Sequence, residues 1–245
     1  MQSVLILKAG TAAPSVRMVA GDYDRWFTLA LGLEGKQFRV VHAEQGEHLP
    51  ARMRDFDAIL VTGSPRSVTE LAPWMLRMCE FLRDAADRRV PVLGVCFGHQ
   101  LLGHAYGARV RKSPSGREIG TVSCELTPEG RADPLFEGVP ARFEVQATHE
   151  DVVEDAPRAI ELLASNAHSH NQAFRAGRTV RAVQFHPELD APTMKALVEA
   201  RTQKLEAEAR ARGEDPVTRM RALYAGIRPT PFGRRILENF LQNFT

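Results

Sequence analysis

The feature that most constrains the fold is a series of short apolar runs in the first hundred residues, separated by longer stretches. The runs are Val4–Leu7, Phe38–His42, Ala58–Thr62 and Pro91–Val95. Such runs are typical of parallel strands covered on both faces. Between the last two lies Pro73–Arg88, which mixes apolar and charged residues and begins with proline, a residue suited to a first helical turn. This alternation predicts an α/β fold whose open, mostly parallel sheet carries helices on both faces.

The pattern changes after Gly107. Shorter candidate strands, separated by Gly, Pro and Asp turns, are Val110, Ile119–Leu126, Phe143–Ala147, Ile160–Ala164, Gln172–Phe174 and Val180–Phe185. Strands of this length and spacing predict a mixed or antiparallel second half of the sheet. The sequence has no internal repeat and no low-complexity segment, so we interpret residues 1–245 as a single domain.

The C-terminal stretch is rich in helix formers. Thr193–Arg212 predicts one helix that ends at Gly213. Asp215 and the proline after it predict the start of a second helix, which Gly226 closes. Pro231–Phe244 predicts a last, amphipathic helix.

Composition excludes several classes of protein. The 245 residues carry 32 Lys and Arg against 30 Asp and Glu, a balance that does not favour a nucleic-acid partner. The three cysteines are an odd and widely spaced set, which favours free thiols in a reducing compartment. The sequence shows neither a signal peptide nor an apolar run of the ~20 residues that a membrane span needs. We therefore expect a cytoplasmic protein without a membrane partner.

The most informative motif is Gly94-Val95-Cys96-Phe97-Gly98, where a buried strand runs directly into a helix. Glycines two residues on either side of a nucleophile are typical of a tight strand–helix elbow. Such a turn lifts the sulfur out of the sheet and directs the first helical N–H groups toward it, which stabilises a thiolate and later an oxyanion. A lone cysteine is more often a buried structural thiol. The glycine context favours a nucleophile at Cys96, whereas Cys79 and Cys124 are interpreted as structural.

A cysteine nucleophile needs a base, and His186 has the best context. Pro187 keeps His186 extended, so that Glu188 falls on the same face and can orient the imidazole. Cys96, His186 and Glu188 are thus the parts of a catalytic triad. The other histidines are interpreted as structural (His99, His104), without a partner pattern (His42, His48) or in a solvated loop (His168, His170). No ligand cluster accompanies them, so we predict neither a metal site nor a cofactor.

Four segments together carry a family resemblance. They are TGS at Thr62–Ser64, GVCFGHQ at Gly94–Gln100, THED at Thr148–Asp151 and QFHPE at Gln184–Glu188. In their nature and order they resemble class I glutamine amidotransferase domains of the Cys-His-Glu type. The resemblance covers about Val4 to Glu188 and the last helix, and it implies a flavodoxin-like sheet.

Two further segments refine the resemblance. PWM at Pro73–Met75 and REIG at Arg117–Gly120 make the chain most similar to stand-alone domains related to the amidotransferase part of GMP synthase and to γ-glutamyl peptidases. The family usually passes quickly from HPE to its last helix, but here a charged helical insert of about residues 192–228 intervenes. The insert is either a solvated hairpin at one sheet edge or a lid or docking surface beside the active site.

The resemblance implies a mechanism and a set of site residues. Cys96 would attack the side-chain amide of glutamine, His186 would move the proton, and Glu188 would hold the imidazole. The backbone N–H of Phe97, with that of Gly63 or Ser64, would form the oxyanion hole. The family also implies substrate contacts from three further positions, namely Gln100, Thr148 and Asp151. From the residues alone, 148–151 could equally be a loop with an aspartate cap, and His149 only a turn residue.

Three functions compete for this sequence. The first is glutamine hydrolysis, which would supply ammonia to a separate synthetase subunit, because the chain has no phosphate-binding loop and no room for a synthetase domain. The second is a free-standing hydrolase of γ-glutamyl peptides or amides. The third is a non-enzymatic regulatory module on the same fold, which an intact set of Cys96, His186 and Glu188 argues against.

Overall fold

The computed structural model describes residues 3–154 and 157–245. Within them the strands, in chain order, are β1 Val4–Lys8, β2 Phe38–His42, β3 Ala58–Val61, β4 Val92–Val95, β5 Arg109–Lys112, β6 Glu118–Leu126, β7 Arg142–His149, β8 Asp151–Glu154, β9 Ile160–Ser165, β10 Ala173–Ala176 and β11 Val180–Val183. The α-helices are α1 Pro14–Ala20, α2 Tyr23–Leu31, α3 Pro73–Asp87, α4 Phe97–Ala105, α5 Pro128–Ala132, α6 Ala191–Ala200, α7 Thr202–Ala211, α8 Pro216–Gly226 and α9 Pro231–Phe244.

Nine of these strands form one sheet in the order β2-β1-β3-β4-β11-β10-β9-β6-β7. The pairings from β2 to β11 are parallel, and those from β11 to β7 are antiparallel. Strands β5 and β8 pair separately. The predicted mostly parallel α/β sheet with a mixed second half is therefore confirmed. Because β4 lies between β3 and β11, the carboxyl ends of three parallel strands meet at the centre of the sheet.

The sheet separates two hydrophobic cores. Alternate side chains of a strand point to opposite faces, so Leu5 and Leu7 pack with α3 on one face, while Val4 and Ile6 pack with Phe27 and α9 on the other. All five residues of β1 are buried. This two-sided burial explains why the central strands are apolar at nearly every position.

The C-terminal region differs from its prediction in one respect. The single helix expected over Thr193–Arg212 is wrong, because the chain forms α6 and α7 with a break at Arg201. The two halves have different partners: α6 packs on α1, and α7 packs on α8. The last helix spans Pro231–Phe244 as predicted. In the described part of the chain, none of the helices combines the length and apolar character needed to cross a bilayer.

Candidate active site

Cys96 sits in a strained turn between β4 and α4. Its backbone has φ 54° and ψ −99°, a left-handed region that residues with a Cβ rarely adopt. The flanking glycines permit the turn, because a Cβ on Gly94 would lie 2.5 Å from the Gly98 carbonyl oxygen. A Cβ on Gly98 would lie 2.7 Å from the carbonyl oxygen of Val61. The turn thus holds Cys96 at the N-terminus of α4 and at the edge where the parallel strands end.

The strain at Cys96 gives a first prediction. We expect Cys96→Gly to be more stable to unfolding than Cys96→Ala by roughly 1 kcal/mol, because glycine adopts positive φ without a steric cost. Urea denaturation of the two variants under one buffer condition measures the difference. A Cys96→Ala protein at least as stable as Cys96→Gly would contradict this prediction.

His186 and Glu188 form a buried pair after β11. The backbone N–H of His186 donates to the Gln146 carbonyl at 2.8 Å and fixes the residue beside β7. Nδ1 of His186 lies 2.7 Å from Oε1 of Glu188, so the two side chains meet as predicted. The segment is not extended as expected, because Pro187 and Glu188 lie in a turn in which the N–H of Leu189 donates to the His186 carbonyl at 3.4 Å. The contact between the two side chains fixes the direction of the imidazole ring.

The electrostatic surroundings of His186 favour its charged form. Burial alone would lower the pKa of His186, but the charges of Glu188 and Cys96 outweigh burial and raise the pKa to about 10. Within the described residues, Nε2 of His186 and Oε2 of Glu188 are buried without a hydrogen-bond partner. The ring nitrogen that does not face Glu188 is therefore available to another group.

The remaining cysteines lie in different surroundings. Cys79 is in α3 and Cys124 in β6, and both are buried. Burial raises the pKa of the Cys79 thiol to about 11 and raises that of Cys124 as well. Both are therefore protonated at neutral pH, in agreement with their structural interpretation.

The residues considered for the oxyanion hole lie around Cys96. Phe97 is the first residue of α4, and Ser64 borders the same cavity as Cys96. Gly63 lies against His186, because a Cβ at Gly63 would lie 2.8 Å from Cε1 of the imidazole and 3.1 Å from the ring of Tyr23. Glycine is thus required at position 63 for the imidazole to reach this place.

A cavity of about 180 Å³ opens beside Cys96. Gln100, Thr148 and Asp151, the three substrate-contact candidates, all line it. The amide nitrogen of Gln100 donates to the Asp151 carbonyl at 2.9 Å, which ties α4 to the start of β8. The structure therefore brings these residues and Cys96 into one site.

The segment 148–151 is not the capped loop that the sequence also allowed. Thr148 and His149 are the last residues of β7, and Asp151 begins β8. His149 is buried, with Nε2 2.8 Å from Oε2 of Glu118 and Nδ1 3.0 Å from the Asp151 carbonyl oxygen. The interpretation of His149 as only a turn residue was wrong. Glu118 and His149 are direct partners in the β6–β7 register, a pairing that the sequence does not reveal.

The other histidines do not join this site. His99 is fully buried, and one ring nitrogen lies 3.0 Å from Asn171. Burial lowers the pKa of His99 to about 3, so the ring is neutral and structural. His168 lies 3.2 Å from the Gly116 carbonyl. Among residues 3–154 and 157–245, no three His, Cys, Asp or Glu side chains come together as a metal site would require.

The helical insert borders the cavity. Nη1 of Arg201 donates to Oγ1 of Thr148 at 2.6 Å, and Nζ of Lys204 lies 2.8 Å from Glu150. Both cations line the same cavity as Cys96. Part of the insert thus lies beside the cavity, and its role as a lid or docking surface stays a prediction. The break between α6 and α7 is what places Arg201 there.

One further site residue was missed from the sequence. Tyr23 begins α2, a helix that the sequence analysis did not predict, and its ring lies against Gly63. Burial raises the pKa of Tyr23, so its hydroxyl stays protonated. No local pattern marks this residue, because its position depends on how α2 packs beside the sheet.

Known proteins are similar to this chain in sequence and in fold. γ-Glutamyl peptidase 4 of Arabidopsis thaliana is 29% identical over 69% of this chain and 68% of its own length. The glutamine-hydrolysing GMP synthase of Thermosipho melanesiensis is 38% identical over 54% of this chain, which is only 24% of that longer protein. A glutamine amidotransferase structure from Thermotoga maritima superposes with a TM-score of 0.74 at 22% identity, covering 99% of this chain and 97% of that one.

The family model described as glutamine amidotransferase class-I matches residues 26–202. The matched range contains the cysteine turn, the His186–Glu188 pair and every cavity-lining residue except Lys204. The T. maritima structure confirms the flavodoxin-like arrangement of the sheet. Because this match covers most of its length, the chain belongs to the class I glutamine amidotransferase family.

Proposed function

We propose that this protein hydrolyses the side-chain amide of glutamine, or of a related γ-glutamyl compound, through a thioester on Cys96. The observation that carries the proposal is the strained turn that presents Cys96 at a helix N-terminus, next to the buried His186–Glu188 pair. A nucleophile, a base and a group that orients the base are the parts of acyl transfer. Membership of the family supports this choice.

In the first half of the reaction, His186 holds the proton of the Cys96 thiol, and the resulting thiolate attacks the side-chain carbonyl carbon. The carbonyl oxygen becomes an oxyanion, which the N–H groups of Phe97 and of Gly63 or Ser64 would bind. As the C–N bond breaks, His186 gives a proton to the departing ammonia or amine. A γ-glutamyl thioester remains on the sulfur.

In the second half, water attacks the thioester and His186 takes its proton. The C–S bond breaks, glutamate leaves, and Cys96 recovers its proton. Glu188 stabilises the imidazolium in both halves, since its contact with Nδ1 persists while Nε2 exchanges the proton. No cofactor enters these steps.

Two substrate classes fit this chemistry. Glutamine releases ammonia, for which a separate synthetase subunit would be the acceptor, and the likeness to a GMP synthase supports this class. γ-Glutamyl peptides release an amine and need no partner, and the likeness to a γ-glutamyl peptidase over 69% of the chain supports that class. Release of glutamate from glutamine and from γ-glutamyl peptides by the purified protein tests the proposal directly. Absence of glutamate with every substrate would contradict it.

We also infer that the insert belongs to the same domain as the sheet. Its residues Met194, Leu197 and Val198 are buried in one cluster with Val16 and Trp26. Deletion of the insert would expose this apolar surface. Point substitutions on its cavity side are therefore the sharper way to test its role.

Selective alkylation gives a second prediction. Iodoacetamide should modify Cys96 before Cys79 or Cys124, because Cys96 borders the cavity whereas burial raises the pKa of the other two thiols. Peptide mapping over a time course at neutral pH measures the order of modification. Labelling of Cys79 or Cys124 first would contradict the assignment of the nucleophile.

A further inference from the structure

The cavity beside Cys96 carries more positive than negative charge. Four cations line it, namely Arg66, Arg117, Arg201 and Lys204, against the two carboxylates Glu150 and Asp151. Burial and repulsion by Arg117 lower the pKa of Lys204. A site with this balance attracts anionic groups.

Three of the four cations already have carboxylate partners. Glu150 pairs with Arg117 and lies 2.8 Å from Nζ of Lys204. Nη2 of Arg117 also lies 3.3 Å from Glu208 on α7. Arg66 pairs with Glu70, four residues along the chain, at 3.2 Å. The pairs of Glu208 and Lys204 hold α7 over the cavity, and all of these ion pairs neutralise the cations that they involve.

Arg201 differs from the other three cations. Within residues 3–154 and 157–245, no carboxylate oxygen lies within 4.0 Å of its guanidinium, which donates a hydrogen bond to Oγ1 of Thr148. The residue is half-buried at the break between α6 and α7. A guanidinium fixed by one hydrogen bond keeps other N–H donors free for a planar anion.

We propose that Arg201 binds a carboxylate of the substrate and so determines which γ-glutamyl compounds this protein accepts. The inference rests on the proposed function, because it concerns the same cavity. The carboxylate has two sources: the α-carboxylate of the glutamyl group, or a carboxylate on the amine that leaves. Arginine suits either one, since its donors match both oxygens of a carboxylate.

The experiment compares kcat/KM within two pairs of substrates. The first pair is L-glutamine and its α-amide, and the second is γ-glutamylglycine and γ-glutamylglycinamide. Each pair differs only in one carboxylate. Two variants are compared with the wild type. Arg201→Met removes the charge and the donors, and Arg201→Gln removes the charge but keeps an N–H donor for Thr148, in case the Met variant does not fold. Arg210→Met is the matched control, because Arg210 lies on α7 and pairs with the exposed Glu206, outside the cavity lining.

The wild-type protein should prefer the carboxylate form in at least one pair by roughly 10- to 100-fold, the usual effect of a charged hydrogen bond. Both Arg201 variants should reduce that preference to about one, and Arg210→Met should preserve it. The pair that responds identifies the carboxylate. An unchanged preference in the Arg201 variants, or no preference in the wild type, would overturn this inference alone. Inactivity of the wild type on all four substrates would overturn the proposed function and the inference with it.

Discussion

Replacement of Cys96 by alanine should lower γ-glutamyl amide hydrolysis by at least about 10⁴-fold, the usual scale for loss of a covalent nucleophile. The substitution removes the sulfur and keeps the Cβ, so it neither relieves nor adds to the strain of the turn at φ 54°. Glycines 94 and 98 still close the turn. The loss should therefore be one of chemistry in a folded protein.

Glutamate release with L-glutamine and with γ-glutamylglycine measures this loss, and circular dichroism checks the fold. Cys79→Ala is the matched control, because the same atom is removed from a buried thiol on α3. The control should keep its activity. Undiminished turnover by a purified Cys96→Ala protein would rule out the thioester mechanism.

The elements around Cys96 could be predicted from the sequence because their signals are local. The apolar runs mark β1, β3 and β4, since strands buried on both faces leave few polar positions. The edge strand β2 is only partly buried, and its run is correspondingly less apolar. The glycines at 94 and 98 mark the elbow, and the two-residue spacing of His186 and Glu188 around a proline marks their contact. Each of these features depends on residues that are neighbours in the chain.

The rest of the site depends on contacts between distant segments. Glu118 meets His149 because β6 and β7 pair in one particular register. Arg201 meets Thr148 because the segment that was predicted as one helix forms two helices, and the break between them lies at the cavity. Neither the register nor the break has a signature in the local pattern of residues. The insert therefore resembled a solvated surface in the sequence, although two of its basic side chains, Arg201 and Lys204, line the cavity.

Replacement of His186 by glutamine should lower hydrolysis by at least about 10³-fold, because glutamine can neither take the thiol proton nor return one to the leaving group. The control must lie outside the cavity, which Gln100 on the same helix lines. His104→Gln is the matched control, because His104 lies in the last turn of α4 and outside the cavity lining. Initial rates with both substrate classes measure the effect.

The same variant should reveal a pH-dependent stabilisation. The pKa of His186 is raised from 6.5 to about 10 in the folded protein, so the folded state holds a proton that the unfolded chain releases. The stabilisation from the His186–Glu188 pair is thus fully present below about pH 6.5 and is lost as the pH rises toward 10. Urea unfolding of wild type and His186→Gln at pH 6, 8 and 10 should show a difference in unfolding free energy that shrinks with rising pH. A difference that stays constant, or grows, would mean that the imidazole is neutral in the folded protein and that Glu188 does not hold it as an imidazolium.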